Sequence, residues 1–386
     1  MSHLRQQVEK RMMCYTFFMK EKVVVVRCPD YQITTLRKAL IRLLDLLGLS
    51  SRRAWPSRVL LKPNMLSPRK PEEAVTTHPL ILEALAEIIP SSILIGDSPA
   101  NTARPVEEYW ENCGFSRIGT CEKTTLVRFD QPVFLSLQVK GKKFQIPVAN
   151  YCQQIPLINL PKLKTHMLTI ITGATKNLFG CIPGFQKSLL HRDFLSPEDL
   201  SSFLIEFSRA LKPNILFHLV DAISIMEGNG PSNGRVRNCG YLIAGYSDVA
   251  VDLACARLLG IEPWHIPTLR IYQQVYGLPE LNLVGDTILP LRGVVLPGIS
   301  VSSGLLRWPV TARLLSVLKP FFQLKPEIKQ HSCQKCLACV KVCPAAAITP
   351  GVKIRRDKCI RCLCCFEVCP HQAIYLKKSF FARYLT

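Results

Sequence analysis

Residues 333–370 read "CQKCLACVKVCPAAAITPGVKIRRDKCIRCLCCFEVCP" and hold nine of the seventeen cysteines in a chain of 386 residues. The spacing is Cys333-x2-Cys336-x2-Cys339-x3-Cys343-Pro344, repeated as Cys359-x2-Cys362-x2-Cys365-x3-Cys369-Pro370. Two-residue gaps let three thiolates converge on one small inorganic core, while a fourth cysteine just ahead of proline turns toward a second core. Each half therefore supplies three ligands and lends one. The expected sets are Cys333, Cys336, Cys339 and Cys369 for one 4Fe-4S cluster, and Cys359, Cys362, Cys365 and Cys343 for the other. Zinc is the competing reading, but zinc sites pair two separated C-x2-C knuckles and do not triple the spacing ahead of Cys-Pro.

Both halves continue into Cys-Pro-x-x-Ala-Ile. With these motifs, residues 330–378 resemble the bacterial-type two-cluster ferredoxin domain, which implies a small α+β module. Cys364 departs from the pattern beside Cys365. It reads as a small buried hydrophobe, with an alternative cluster ligand as the sharper reading. The other eight cysteines (Cys14, Cys28, Cys113, Cys121, Cys152, Cys181, Cys239 and Cys255) follow no framework spacing, as expected of free thiols in a reducing cytoplasm. "MMCYTFFM" near the N-terminus is too short for a signal peptide and has no small-residue cleavage site behind it. No run approaches 18 apolar residues, so no transmembrane helix is expected.

The formal net charge is +21, with 49 Lys and Arg against 28 Asp and Glu. The basic residues are spread along the chain and no nucleic-acid-binding signature accompanies them, so a basic surface is expected and not a nucleic-acid partner. Residues 330–378 alone carry nine Lys or Arg against Asp357 and Glu367. With roughly −2 from each oxidised cluster and its thiolates, the module keeps a charge of about +3. Its redox partner is expected to be acidic, of ferredoxin or flavodoxin type.

Upstream, apolar runs alternate with amphipathic segments, the pattern of an α/β domain over residues 22–325 with a mostly parallel sheet flanked by helices. "VVVV" (23–26), "RVLLKPN", "ILIGD", "PLINL", "ILFHLV" and "YLIAG" read as strands, and "FLSLQVKGKKFQI" as a hairpin turning at Lys140 to Lys142. Helices are expected over 34–47, stopped by Gly48, over "HPLILEALAEII", from Ser196 to about Leu211, and after Ser247. "LRWPVTARLLSVLKPFFQL" (306–324) carries Arg307, Arg313 and Lys319 among apolar residues. It reads as a segment packed across a domain boundary, with peripheral contact to a membrane as the alternative.

Polar residues follow each strand: Lys62-Pro63-Asn64, Asp97 and Lys164-Thr165-His166, with Asp221 read as the end of "ILFHLV". Ligands of open α/β sheets bind outside the carboxyl ends of strands, so these residues are expected to share one crevice. "GATKNLFG" (173–180) adds Lys176 and Asn177, and "MEGNGP" (226–231) adds Glu227 on an expected glycine-rich loop beyond Asp221. Neither is a Walker or Rossmann fingerprint. In order, "LKPN", "TTHP", "IGDSP", "LPKLKTH", "GATKNLFG", "MEGNGP" and "VAVD" resemble the domain of unknown function 362 family over roughly residues 22–300. The resemblance implies an iron-sulfur protein and leaves the substrate open.

The leading expectation is an iron-sulfur redox protein in which the module passes electrons to or from a site in the α/β domain. There Lys62, Asn64, Asp97, Lys164 and Asn177 would hold a small anionic substrate. His166, Lys176, Asp221 and Glu227 would serve its chemistry. A carrier or adaptor without catalysis is the alternative. A metal or cluster handling protein using His78, His166 and His191 is a third.

Overall fold

The computed structural model of the chain describes residues 20–99, 104–297 and 325–377. The large domain runs β1 (Glu21–Arg27), α1 (Ile33–Leu47), β2 (Arg58–Pro63), α2 (Pro79–Ile88), β3 (Ser92–Ile95), α3 (Val106–Asn112), β4 (Thr124–Leu126), the hairpin β5 (Pro132–Val139) and β6 (Lys142–Ala149), β7 (Leu157–Leu160), β8 (Lys162–His166) and β9 (Ile170–Thr172). It continues with α4 (Ala174–Asn177), α5 (Gln186–Asp193), α6 (Pro197–Leu211), β10 (Ile215–Glu227), β11 (Arg235–Gly245), α7 (Asp248–Leu259), α8 (Pro267–Tyr276) and β12 (Leu281–Gly285). The segment 306–324 lies outside the described residues.

Strand β1 shows how the sheet is covered. Val24 and Val26 enter one core, with Leu36, Leu40 and Leu43 of α1 and Ile81, Leu82 and Leu85 of α2. Val23 and Val25 enter the opposite core, with Val249, Leu253 and Ala256 of α7. Burial on both faces is why the strand is an unbroken apolar run. A third core joins Leu60 and Leu157 to Phe203, Leu204 and Phe207 of α6 and to the β5–β6 hairpin. The sheet order is β12-β1-β11-β10-β7-β2-β3-β4, with β8 paired to β10 and β9 to β8. Pairs β1–β12, β10–β7, β10–β8, β2–β7, β2–β3 and β3–β4 are parallel, while β11 pairs antiparallel to both β1 and β10.

Two elements differ from the sequence reading. "KLKTH" is a strand and not a post-strand loop, separated from β7 by Pro161 alone. Its lysines hid it, because they are buried by pairing: Lys162 Nζ is 2.9 Å from Asp221 Oδ2, each residue 1% exposed. Strand β10 runs on to Glu227, so Asp221 lies in mid-strand, ahead of a bulge between Ala222 and Ser224. The Asp221 carboxylate is tolerated there because Tyr31 Oη, the His78 amide and Lys162 all donate to it.

The small module opens earlier than residue 330, at β13 (Lys325–Ile328), which pairs antiparallel with β14 (Ile374–Lys377). Between them lie α9 (Ala338–Val342) and α10 (Cys364–Val368). The sequence repeat is written in the backbone as well. Left-handed φ values occur in pairs 26 residues apart, at Lys335 and Arg361, Leu337 and Leu363, and Ala346 and Gln372.

Candidate functional site

Neighbouring parallel strands bring the polar residues together. Lys62 lies opposite Asn159, and Leu61 opposite Ile95, so the segments that leave β7, β2 and β3 meet at one end of the sheet. There Lys62 Nζ is 2.9 Å from Asp97 Oδ1, with both side chains buried. Asp97 also accepts from the amides of Met65 (2.7 Å) and Ser98 (2.9 Å), which gives a buried carboxylate the donors that it needs. An asparagine chain crosses the strand ends, from Asn64 Nδ2 to Asn177 Oδ1 (3.0 Å) and from Asn177 Nδ2 to Asn159 Oδ1 (2.8 Å). Lys164 Nζ donates to Asn64 Oδ1 (2.7 Å) and to the Val75 carbonyl (2.6 Å).

The two glycines of "GATKNLFG" have steric causes. A Cβ on Gly173 would lie 2.0 Å from Asp252 Oδ1, the oxygen that accepts the Ala174 amide at the start of α4. Asp252 Oδ2 accepts the Thr175 amide, so this carboxylate fixes the turn that carries Lys176 and Asn177. A Cβ on Gly180 would lie 2.1 Å from Asp97 Oδ1 and 2.6 Å from Lys62 Nζ.

These residues surround a cavity of about 80 Å³. From the large domain, Asn64, Asp97, Lys164, His166, Lys176, Asn177, Lys187, Ser188 and His191 line it. From the small module, Cys364, Glu367 and Val368 of α10 close it, beside the predicted ligands Cys365 and Cys369. The two domains thus share one site. His166 Nδ1 accepts from the amides of Leu168 (3.1 Å) and Thr169 (3.3 Å), which leaves its proton on Nε2, 3.2 Å from Glu367 Oε1. That N–H is poorly aligned, and Glu367 Oε1 has no well-formed hydrogen bond among the described residues.

Burial sets the electrostatics. It pulls Lys164 and Lys187 down to about 7, with neighbouring lysines adding to the shift, and lowers Lys176. Burial also lowers His166, and takes His191 to about 3, so both imidazoles are neutral at neutral pH. Burial pushes Glu367 up, but the positive groups around it outweigh this and hold it below its usual range. His166, whose Nε2–H faces Glu367, is the largest of these opposing influences, followed by His191 and Lys176.

Of the residues expected in one crevice, Asn64, Asp97, Lys164, His166, Lys176 and Asn177 line the cavity, and Lys62 stands directly behind Asp97. Asp221 and Glu227 do not. Asp221 belongs to the separate network of Tyr31, His78 and Lys162, where Tyr31 and His78 stack at 3.7 Å. Glu227, 1% exposed, is held by Arg235, Arg237 and the Val295 amide at the end of β10. Both carboxylates are occupied structurally, which a reading based on strand ends could not foresee. The sequence reading left out Lys187, Ser188 and Glu367 as site residues, and placed His191 only in the metal-handling alternative. Its missed signal was in "KSLLH", which puts Lys187, Ser188 and His191 on adjoining turns of α5.

The cysteines gather in two groups of four. One cavity is lined by Cys333, Cys336, Cys339 and Cys369, another by Cys343, Cys359, Cys362 and Cys365. The Lys335 amide donates to Cys333 Sγ (3.4 Å) and the Ala347 amide to Cys343 Sγ (3.2 Å), as thiolates of a cluster require. Among the described residues no three His, Cys, Asp or Glu side chains close on a single metal ion. Four thiols spread around a cavity suit a polynuclear core better than zinc. Cys364 lines neither of these two cavities; it packs with Ala338, Val342 and Val368, and against the partly buried Cys362.

Two family models match the chain. Residues 59–257 match the family described as "Domain of unknown function (DUF362)", and residues 352–375 match the "4Fe-4S binding domain". The thylakoid-associated protein sll1697 of Synechocystis sp. is 31% identical over 272 residues, which cover 67% of this chain and 80% of that protein. No helix among the described residues is long and apolar enough to cross a membrane.

Proposed function

The chain belongs to the domain of unknown function 362 family and carries a 4Fe-4S module behind that domain, and from this premise we propose that it moves electrons between the module and a small anionic substrate held in the shared cavity. One observation carries the reading: α10, which bears Cys365, also closes a cavity that Lys164, Lys176 and Lys187 make basic. Two 4Fe-4S clusters, held by the two groups of four cysteines, would supply single electrons. The chain's own side chains do the rest. Lys176 and Lys187 attract the anion, Asn64 and Asn177 orient it, and the fixed Nε2–H of His166 donates a hydrogen bond at the cavity wall, where charge develops as the substrate is reduced. Most of the lining side chains are buried, among them Lys164, His166, Asn177 and Lys187, which strengthens their contacts. The partner is an acidic carrier, since Lys335, Lys341, Lys353, Arg355, Arg356, Lys358 and Arg361 are exposed on the module while Glu367 is buried. The compartment is reducing and cytoplasmic in character, as labile clusters and free thiols require.

The test is anaerobic stopped-flow reoxidation of the reduced protein by a panel of small anionic oxidants. At least one should reoxidise it with saturable kinetics. Lys176→Met should raise the half-saturating concentration, and His166→Gln should slow the limiting rate. If both variants match the wild type with every oxidant and still exchange electrons normally with an acidic ferredoxin, the protein is a carrier without catalysis.

A further inference from the structure

We propose that the wall built by α5 and the α4 turn is a seat for a tetrahedral dianion, a phosphate- or sulfate-type group, and that this headgroup defines the substrate class. The inference rests on the reading of the cavity as a ligand site. Lys176 has no ion-pair or hydrogen-bond partner among the described residues, and its ammonium lies 4.3 Å over the Phe179 ring. His191 meets the same ring at 5.5 Å, edge-on, is 4% exposed and makes no hydrogen bond among the described residues. Ser188 is 1% exposed, one turn before His191, and its Oγ is buried without a partner among the described residues. A buried hydroxyl without a partner is costly unless a ligand satisfies it, and Lys176 and His191, which share the Phe179 ring, line the same cavity as Ser188.

Donor type and charge narrow the ligand. Among the described residues no arginine lines the cavity, so they offer no planar fork of the kind that grips a carboxylate. An ammonium, a hydroxyl and an imidazole offer separate donors in different directions, as a tetrahedral oxyanion accepts them. Once a bound anion holds Lys164 and Lys187 protonated, the ammonium groups of Lys164, Lys176 and Lys187 at the cavity and of Lys62 behind it stand against two carboxylates, those of Asp97 and Glu367. A dianion balances them. A cavity of about 80 Å³ has room for such a group and a short remainder.

Calorimetry on the anaerobically purified, cluster-loaded chain tests this, with inorganic phosphate, methyl phosphate, sulfate and succinate at constant ionic strength. Phosphate or methyl phosphate should bind saturably, sulfate should compete, and Ser188→Ala and Lys176→Met should each weaken binding at least about tenfold while iron and sulfide content stay unchanged. Preference for inorganic phosphate would mark a free anion as the ligand, and preference for the ester would mark a headgroup. Binding of succinate but not phosphate, or phosphate binding indifferent to both substitutions, overturns the proposal. Reoxidation by an anion without such a headgroup would overturn the seat and leave the redox reading standing. Phosphate binding with no reoxidation by any anion would do the reverse.

Discussion

Replacing Gly180 by alanine probes the packing beneath the cavity. The new Cβ would sit 2.1 Å from Asp97 Oδ1 and 2.6 Å from Lys62 Nζ. Neither group can step aside cheaply: Asp97 is tied to the amides of Met65 and Ser98, Lys62 to the Pro63 carbonyl, and both side chains are buried. Overpacking of a tight interior costs about 1–3 kcal/mol, and full rupture of a buried pair about 3–5 kcal/mol. A partly displaced pair should therefore lose about 2–4 kcal/mol, or roughly 5–10 °C in thermal midpoint for a domain of this size. Anaerobic thermal unfolding followed by far-UV circular dichroism reads the effect, with the visible absorbance of the clusters recorded alongside. Gly351→Ala is the control, since its Cβ would meet only Thr349 Oγ1 at 3.9 Å. If Gly180→Ala behaves like the control, the tight contact among Gly180, Asp97 and Lys62 is wrong.

Further outcomes follow from other parts of the molecule. Anaerobically purified protein should hold about eight iron and eight sulfide per chain, and Cys343→Ala should damage the cluster shared with Cys359, Cys362 and Cys365; about four iron in the wild type would contradict this. Reduction by an acidic ferredoxin should slow as ionic strength rises, because a Debye length of about 10 Å at 0.1 M screens the basic module, and a salt-independent rate would argue against an acidic partner. Sulfate keeps its charge across neutral pH, so its affinity should report the lysines. Lys164 and Lys187, lowered by burial to about 7, are cationic below that value and neutral above it. A bound anion raises both, so affinity should hold at low pH and fall as pH climbs beyond about 7, whereas a flat profile would remove these lysines from the site.

The sequence reading went furthest where local chemistry repeats at fixed spacing. The doubled cysteine pattern, the valines of β1 and the Ser196 and Ser247 caps are each set by neighbours within a turn or two, and such features survive tertiary context. Strand-end residues were legible as a group because parallel neighbours stack in register. Asp221 and Glu227 were misplaced because distant partners set the structural setting of each: Tyr31 and Lys162 for one, Arg235 and Arg237 for the other. Helix α5 was illegible for the opposite reason. Its inward face is polar, so the hydrophobic period that announces a buried helix is absent. Glu367 belongs to a helix of the small module, and only the docking of the two domains makes it part of the cavity.

The central claim is that the basic cavity and the clusters act on one another. Potentiometric titration of the iron-sulfur signals in wild type and in Lys176→Met tests it without any substrate. Reduction adds negative charge, so removal of a half-buried positive charge beside α10 should lower at least one midpoint potential by tens of millivolts, with iron and sulfide content unchanged. Potentials identical to within about 10 mV would mean that the cavity and the clusters are electrostatically independent, and the account of a shared redox site would fail.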